Sequence, residues 1–171
     1  MASSTTTAQQ TAGPCQDADV LAHVRAHWAT IQPNSPVYNF FFPSIKIISA
    51  TTASGRVVAH LPLEAQHINS KKILHGSVSA TLVDWAGGMS IAAAKELEKT
   101  GVSVDIHVSY VGAAREGDVL EIESWVSKVG RNLAFTSVEI RKAVLDTDGT
   151  PKYGEKGQVV ATGSHTKYLN V

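Results

Sequence analysis

One long, largely apolar segment, Ser77 to Lys99, constrains the fold more than any other feature of the sequence. Apolar residues recur in it about every fourth position, as they do along a helix: Val78, Leu82, Trp85, Met89 and Ala93. Gly101, just beyond the segment, is a natural C-terminal stop for that helix. Because such a helix must bury most of its circumference, the rest of the chain is expected to wrap around it.

The chain before this segment predicts one shorter helix and a β-hairpin. The stretch "DADVLAHVRAHWATIQP" has apolar residues near helical spacing and closes at Pro33. Two β-rich runs, "SIKIISATTAS" and "RVVAHLPL", meet at Ser54-Gly55 and are typical of a hairpin. Between helix and hairpin, the proline-bounded "NSPVYNFFFPS" predicts a loop or short turn. We expect its aromatic side chains to pack on the body of the protein, with pocket lining as the alternative.

The chain after the long segment is dominated by strand signals. Four β-rich runs follow one another: "VSVDIHVSYVGAA", "DVLEIESWVSKVG", "LAFTSVEIRKAV" and "GQVVATGSHTKYL". The short turns "EGD" and "GRN" predict antiparallel neighbours in a meander of four strands or fewer. Val102, Val104, Ile106 and Val108 alternate as in a half-buried strand. The predicted fold class is therefore α+β: a hot-dog fold, with an antiparallel sheet wrapped around one long central helix.

Length and composition favour one domain. A chain of 171 residues that is 43% hydrophobic fits a single core, which we expect to span residues 17–171. Residues 1–16 are rich in Ser, Thr and Ala and contain no Lys or Arg, so they predict a disordered tail. We expect a cytoplasmic protein, with the mitochondrion as the alternative.

Charge and cysteine content exclude several kinds of partner. The 15 basic side chains balance the 15 acidic ones, so no overall field would hold nucleic acid or an anionic membrane. No apolar run approaches the roughly 18 residues that a membrane span needs. The single cysteine excludes a thiolate zinc site, and the histidines lack close ligand spacing, so we expect no metal.

Asp84 is unusual because it places a carboxylate in the middle of the predicted buried helix. Gly87 and Gly88 leave the helical face beside it almost bare, although each glycine costs a helix roughly 1 kcal/mol relative to alanine. The missing volume indicates a ligand or another backbone approaching closely. The alternative is tight packing of a strand or a partner helix, with Asp84 a surface acid at a subunit seam.

His75-Gly76 lies where the chain enters this helix, so the first backbone N–H groups have no intrahelical acceptor. The alternative is that Gly76 and Ser77 simply form a helix cap. Together with an acid about two turns along the helix, however, the His75-Gly76 dipeptide favours acyl transfer to water. Backbone donors would hold the developing oxyanion while Asp84 acts as general base or nucleophile. The sequence contains neither a G-x-S-x-G nucleophile elbow nor a phosphate-binding loop.

Four separated sequence blocks match those of a known family and occur in the same order: "NSKKILHGSVSATLVDWAGGMSIAA", "GVSVDIHVSYVGAAREGD", "LAFTSVEI" and "ATGSHTKYL". They resemble the hot-dog acyl-CoA thioesterases of the phenylacetate-degradation type, and among these thioesterase superfamily member two. The resemblance covers about Ile45 to Leu169. It implies hydrolysis of fatty or aryl acyl-CoA thioesters to a free acid and coenzyme A, with no cofactor because coenzyme A is part of the substrate.

The resemblance also implies roles for individual residues. Asp84 would be the catalytic acid, and Ser103 would orient the attacking water. The family's Asn and His-Gly motif would polarise the thioester carbonyl and fall on Asn69 and His75-Gly76. Asp105 and His165 would contribute to the substrate site. Ser77 replaces the second motif glycine, and Trp85 adds bulk beside the acid, so acyl preference is not implied.

The coenzyme A contacts implied by the resemblance form three groups: Tyr110, Val111, Gly112, Ala113, Ala114 and Arg115; Lys128, Val129, Gly130, Arg131, Asn132 and Leu133; and Lys167 with Tyr168. Four of these residues are cations that would bind the phosphates: Arg115, Lys128, Arg131 and Lys167. In this family the active site spans a dimer seam. We therefore expect a homodimer or a dimer of dimers.

Two other functions fit a hot-dog fold. A hydratase acting on enoyl or hydroxyacyl thioesters would need an Asp and a His poised together. His75 and Asp84 are nine residues apart, about 13 Å along a regular helix, which makes them a poor pair within one chain. A non-catalytic acyl-CoA-binding subunit is the other alternative, and the presence of Asn69, Asp84 and Ser103 argues against it.

Overall fold

The computed structural model describes residues 18–95, 99–152 and 154–170. The tail predicted for residues 1–16 lies outside these ranges. The helices are α1 Ala18–Ile31, α2 Pro36–Phe41 and α3 Gly76–Lys95. The strands are β1 Lys46–Ala50, β2 Val57–Pro62, β3 Val102–Tyr110, β4 Val119–Val129, β5 Leu133–Lys142 and β6 Val159–Tyr168.

Helix α3 is the centre of the fold, as its apolar sequence predicts. Its buried side chains lie on all sides of the helix axis because it packs against five strands of one sheet and against α1. The six strands form one antiparallel sheet in the order β1-β2-β4-β5-β6-β3. The predicted α+β class, with an antiparallel sheet around one long helix, is confirmed.

The position of β3 differs from the predicted meander. It pairs with β6 at the end of the sheet and has no pairing with β4, which lies between β2 and β5. Beyond the end of β3 the backbone still forms hydrogen bonds with β6, since the N–H groups of Val111 and Gly112 both donate to the carbonyl of Val160. The "EGD" turn then bonds to Leu63, just after β2, so it delivers β4 to a different part of the sheet. Only β4, β5 and β6 form a meander.

Strand β3 is an edge strand with an apolar stripe. The alternation in its sequence predicted a half-buried strand, but Val102, Val104 and Ile106 are 52%, 60% and 38% exposed in the single chain. Burial of these residues was therefore predicted wrongly for one chain, because no described strand pairs with the free edge of β3 and a bulge between Ser103 and Asp105 interrupts its alternation. Such an edge offers unpaired backbone groups to another strand.

The proline-bounded aromatic run contains a helix, α2, where we predicted only a loop or short turn. Ser35 caps it, with its hydroxyl accepting a 3.4 Å hydrogen bond from the N–H of Tyr38, and Pro36 occupies the first turn. The rings of Tyr38 and Phe42 stack with centroids 6.0 Å apart. Tyr38 also contacts Trp28 of α1, so α2 is held against the body by aromatic packing.

Candidate active site

The Asp84 carboxylate is fixed at both of its oxygens. Tyr38 Oη donates to Oδ2 at 2.6 Å, and Ser103 Oγ donates to Oδ1 at 3.2 Å. The side chain of Asp84 is 29% exposed, so a small molecule can still reach it. The structure thus brings together two predicted residues, Asp84 and Ser103, and adds Tyr38, which the sequence did not single out.

His165 joins this cluster from the inner face of β6. Its Nε2 lies 3.0 Å from Ser103 Oγ and 3.6 Å from Asp84 Oδ1, and its side chain is fully buried. Burial, followed by the nearby Lys167 ammonium, lowers the pKa of His165 below its usual 6.5. His165 Nε2 is within hydrogen-bonding distance of Ser103 Oγ, and it donates to Ser103 in the tautomer that leaves the Ser103 hydrogen for Asp84.

The glycine pair makes room for this histidine. A Cβ on Gly87 would lie 2.8 Å from His165 Nδ1 and 2.8 Å from Thr136 Oγ1, whereas a Cβ on Gly88 would come no closer than 3.4 Å to Thr100 Oγ1. The volume that we assigned to a ligand or a backbone is filled by side chains of the sheet. The alternative, tight packing of a strand, is therefore confirmed for Gly87.

Asp84 opens into a cleft of about 480 Å³. Its lining comes from α2, α3 and β3: Ser35, Val37, Tyr38, Ala80, Thr81, Asp84, Ser103 and Ile106. The aromatic run therefore contributes to a pocket, which we had ranked below simple packing. Trp85 does not line this cleft. It is 1% exposed and packs edge-on against Trp28, so it adds no bulk beside the acid.

The start of α3 forms a second group of predicted residues. His75 Nδ1 accepts hydrogen bonds from the N–H of Ser77 at 3.1 Å and its hydroxyl at 2.8 Å, which caps the helix. Asn69 Oδ1 accepts from the N–H groups of Lys71 and Ile73. No acceptor among the described residues contacts the Gly76 N–H, and Gly76 precedes Asp84 by eight residues, about 12 Å along the helix. The two groups do not meet within one chain.

The residues implied for coenzyme A also lie in two places. Tyr110 donates to the Gly76 carbonyl at 3.2 Å, so the segment 110–115 adjoins the start of α3. Leu133 and Val102 both pair with Tyr168, so the 128–133 turn lies by the other end of β3. Those ends are eight residues apart, about 27 Å along a strand. Within one chain the structure does not bring the two segments together.

Three residues that the resemblance assigns to ligand contacts differ in burial: Lys167 and Ala114 are buried, whereas Asp105 is exposed. Lys167 is 7% exposed and faces the Asp84 cluster, so its ammonium does not lie on a surface that phosphates could reach. Burial lowers the pKa of Lys167, while the Asp84 carboxylate opposes that shift. Ala114 is fully buried, with its carbonyl accepting from the N–H of Leu74. Asp105 is exposed on β3 and forms no ion pair with any residue that the structure describes.

None of the helices described is long and apolar enough to span a bilayer. No three His, Cys, Asp or Glu side chains within the described residues converge as a metal site would require.

Comparison with known proteins agrees with this geometry. Residues 71–147 match the family model described as Thioesterase superfamily. Acyl-coenzyme A thioesterase 13 of Homo sapiens is 35% identical over 124 residues, which is 72% of this chain and 80% of the human protein. The mouse protein of that name is 33% identical over 124 residues, again 72% of this chain and 80% of its own.

Solved structures show the same fold. Zebra fish thioesterase superfamily member 2 superposes with a TM-score of 0.68 at 32% identity, covering 91% of this chain and 99% of its own. Member 2 from Mus musculus gives 0.64 at 26% identity, covering 90% of this chain and 96% of its own. The family resemblance read from the four sequence blocks is confirmed. The chain belongs to the thioesterase superfamily, whose hot-dog fold it shares.

Proposed function

We propose that this protein hydrolyses acyl-CoA thioesters to a carboxylic acid and coenzyme A. The observation that carries the proposal is the Asp84 carboxylate, held by Tyr38 and Ser103 at the wall of an open cleft. A positioned carboxylate beside bound water is the arrangement that general base catalysis needs. The relatives named acyl-coenzyme A thioesterase 13 support the same substrate class.

Asp84 acts in this proposal as a general base. Two hydroxyl donors bond to its oxygens and leave lone pairs free to accept from a water molecule. The water loses a proton to Asp84 while its oxygen attacks the thioester carbon. The C–S bond then breaks, the acid keeps the water oxygen, and the sulfur of coenzyme A takes up a proton. Ser103, bonded to His165, holds the water beside Asp84.

The carbonyl oxygen needs donors of its own, and we assign these to the Gly76 N–H and the Asn69 amide. The Gly76 N–H is unpaired among the described residues and lies at the positive end of α3. Both residues are too far from Asp84 of the same chain, so the complete site requires two chains. This is the seam that the family resemblance implied.

An antiparallel pairing of two β3 edges would complete the site. In that pairing the Tyr110 end of one strand lies beside the Val102 end of its partner, so the Gly76 group of one chain meets the Asp84 group of the other. It would also bury the exposed apolar stripe on β3. We therefore propose a homodimer with two active sites at the seam, alone or as half of a dimer of dimers.

The same pairing would join the two segments assigned to coenzyme A. Arg115, Lys128 and Arg131 are exposed and are the cations we propose for its phosphates. Lys167 is removed from that set because it is buried. With zero formal net charge on the chain, binding would depend on these local charges.

A thiol-release assay on aliphatic and aromatic acyl-CoAs tests the proposed function. We expect turnover that depends on enzyme concentration with at least one member of the panel. Hydration of an enoyl-CoA without thiol release would instead support the hydratase. Tight binding of every acyl-CoA without any chemistry would support a binding subunit, and either result would contradict the proposal.

Mixing two inactive variants tests the two-chain site. Gly76→Pro deletes the proposed oxyanion donor, and proline is tolerated in the first turn of a helix. Asp84→Asn removes the base. Heterodimers of these variants hold one intact site of two, so a statistical mixture should recover roughly a quarter of wild-type thiol release. Inactive heterodimers, with mixing shown by native mass spectrometry, would contradict a shared site.

A further inference from the structure

Tyr38 lies before the four sequence blocks that resemble the family, which begin at Asn69, yet its hydroxyl contacts the proposed base. We propose that Tyr38 is a positioning residue that fixes the orientation of the Asp84 carboxylate toward the cleft. This inference rests on the proposed function, since it assigns Tyr38 a part in the same site. The contact joins α2 to α3 across 46 residues of sequence.

The Tyr38–Asp84 hydrogen bond has the geometry of a strong contact. Its length of 2.6 Å is typical of a hydroxyl donating to an ionised carboxylate. Burial, and then the hydrogen bond to Asp84, raise the pKa of Tyr38 well above its usual 10.0. The hydroxyl therefore stays protonated at neutral pH and donates whenever Asp84 is ionised.

The position of this hydroxyl is set by the fold rather than by Asp84. The Tyr38 ring contacts Trp28 at a centroid distance of 5.9 Å and stacks on Phe42 at 6.0 Å. Trp28 in turn packs on Trp85 of α3, the residue next to Asp84. The Ser35 cap holds the backbone of Tyr38 at the start of α2. Aromatic packing from two helices thus places the donor before any substrate binds.

A carboxylate held at one oxygen can still rotate about its Cβ–Cγ bond. Ser103 holds Oδ1, and Tyr38 holds Oδ2, so together they fix the plane of the group. The lone pairs that remain free then point in set directions, and water can take only the positions that match them. Without the hydroxyl, Asp84 keeps its donor at Ser103 but loses its second anchor.

A double-mutant cycle of wild type, Tyr38→Phe, Asp84→Asn and the double variant tests the proposal. Phenylalanine keeps the ring packing and removes only the hydroxyl. In thiol release we expect Tyr38→Phe to lower kcat roughly 10-fold with KM within about twofold, because an oriented base serves the transition state. The double variant should be no slower than Asp84→Asn.

The same four proteins measured by urea unfolding give a readout that needs no substrate. We expect the two substitutions to be non-additive in stability, since Tyr38→Phe removes the donor and Asp84→Asn removes the ionised acceptor of the same hydrogen bond. Additive effects on both unfolding and kcat would overturn the positioning role. If the wild type released no thiol from any acyl-CoA, the proposed function would be contradicted. The unfolding cycle would still show whether the Tyr38 hydroxyl interacts with Asp84.

Discussion

His165 is the buried member of the proposed site. Its Nε2 lies 3.0 Å from Ser103 Oγ, and its ring also interacts with the backbone of Val83 and Asp84. Burial and the Lys167 ammonium both oppose protonation of the ring. The tautomer with its hydrogen on Nε2 donates to Ser103, which leaves the Ser103 hydrogen for the Asp84 carboxylate. A protonated His165 would cost stability and would attract the Asp84 carboxylate directly.

Buried neutral histidines also set how stability depends on pH. Burial, and then His23, lower the pKa of His27 below its usual 6.5, and its Nε2 has no partner in the described ranges. As pH falls below 6.5, the unfolded chain takes up a proton before the folded chain does, so the free energy of unfolding decreases.

We therefore expect His27→Leu to lose less stability than the wild type between pH 7.5 and pH 5. At pH 7.5 the substitution should be close to neutral, because it removes a buried polar atom that lacks a hydrogen bond. Urea unfolding of both proteins at the two pH values measures this. Equal losses on acidification would show that His27 does not contribute to the pH dependence.

Helix α3 both fills the core and carries the proposed catalytic acid, and these two roles require different side chains. Its apolar positions fill the core of the sheet, and Asp84 needs polar neighbours from outside the helix. Gly87 makes both roles possible, because the absence of a side chain lets His165 and Thr136 pack close to the helix axis. Gly88 has no such close neighbour in the described part of the chain. The two glycines offer a matched pair of substitutions in one turn of one helix.

Gly87→Ala should destabilise the protein by roughly 1–3 kcal/mol, because the new methyl group overlaps two packed side chains. It should also lower thiol release by moving His165 away from Ser103. Gly88→Ala should be neutral or stabilising by up to about 1 kcal/mol, since alanine favours the helix. Urea unfolding and thiol release on both variants test this contrast, and equal effects of the two substitutions would contradict the packing explanation.

For the whole molecule, local patterns predicted the elements well and their pairing less well. The long helix, the hairpin and the four later strands follow from periodicity within each segment, and Asp84 with Ser103 follows from the family resemblance. The place of β3 beside β6 could not be predicted from the short "EGD" turn, because it depends on hydrogen bonds to Val160 some 50 residues away. Tyr38 was missed for the same reason, since its contact with Asp84 also crosses elements.

Strand β3 forms one exposed edge of the sheet in the single chain. The alternating apolar sequence of β3 predicts burial, and the single chain leaves Val102, Val104 and Ile106 exposed while Val108 packs against the core. The proposed dimer would account for this difference, since the strand would then be covered by its own copy.

The central claim is that Asp84 is the base of a thioester hydrolase. The most direct measurement compares thiol release by wild type, Asp84→Asn and Asp19→Asn, using the acyl-CoA that the wild type turns over fastest. Asp19 is an exposed acid in the first turn of α1, so its variant controls for the same acid-to-amide change. We predict that Asp84→Asn lowers kcat by roughly 10²-fold or more while the protein stays folded, whereas Asp19→Asn keeps wild-type turnover. Near wild-type turnover by folded Asp84→Asn would contradict the account.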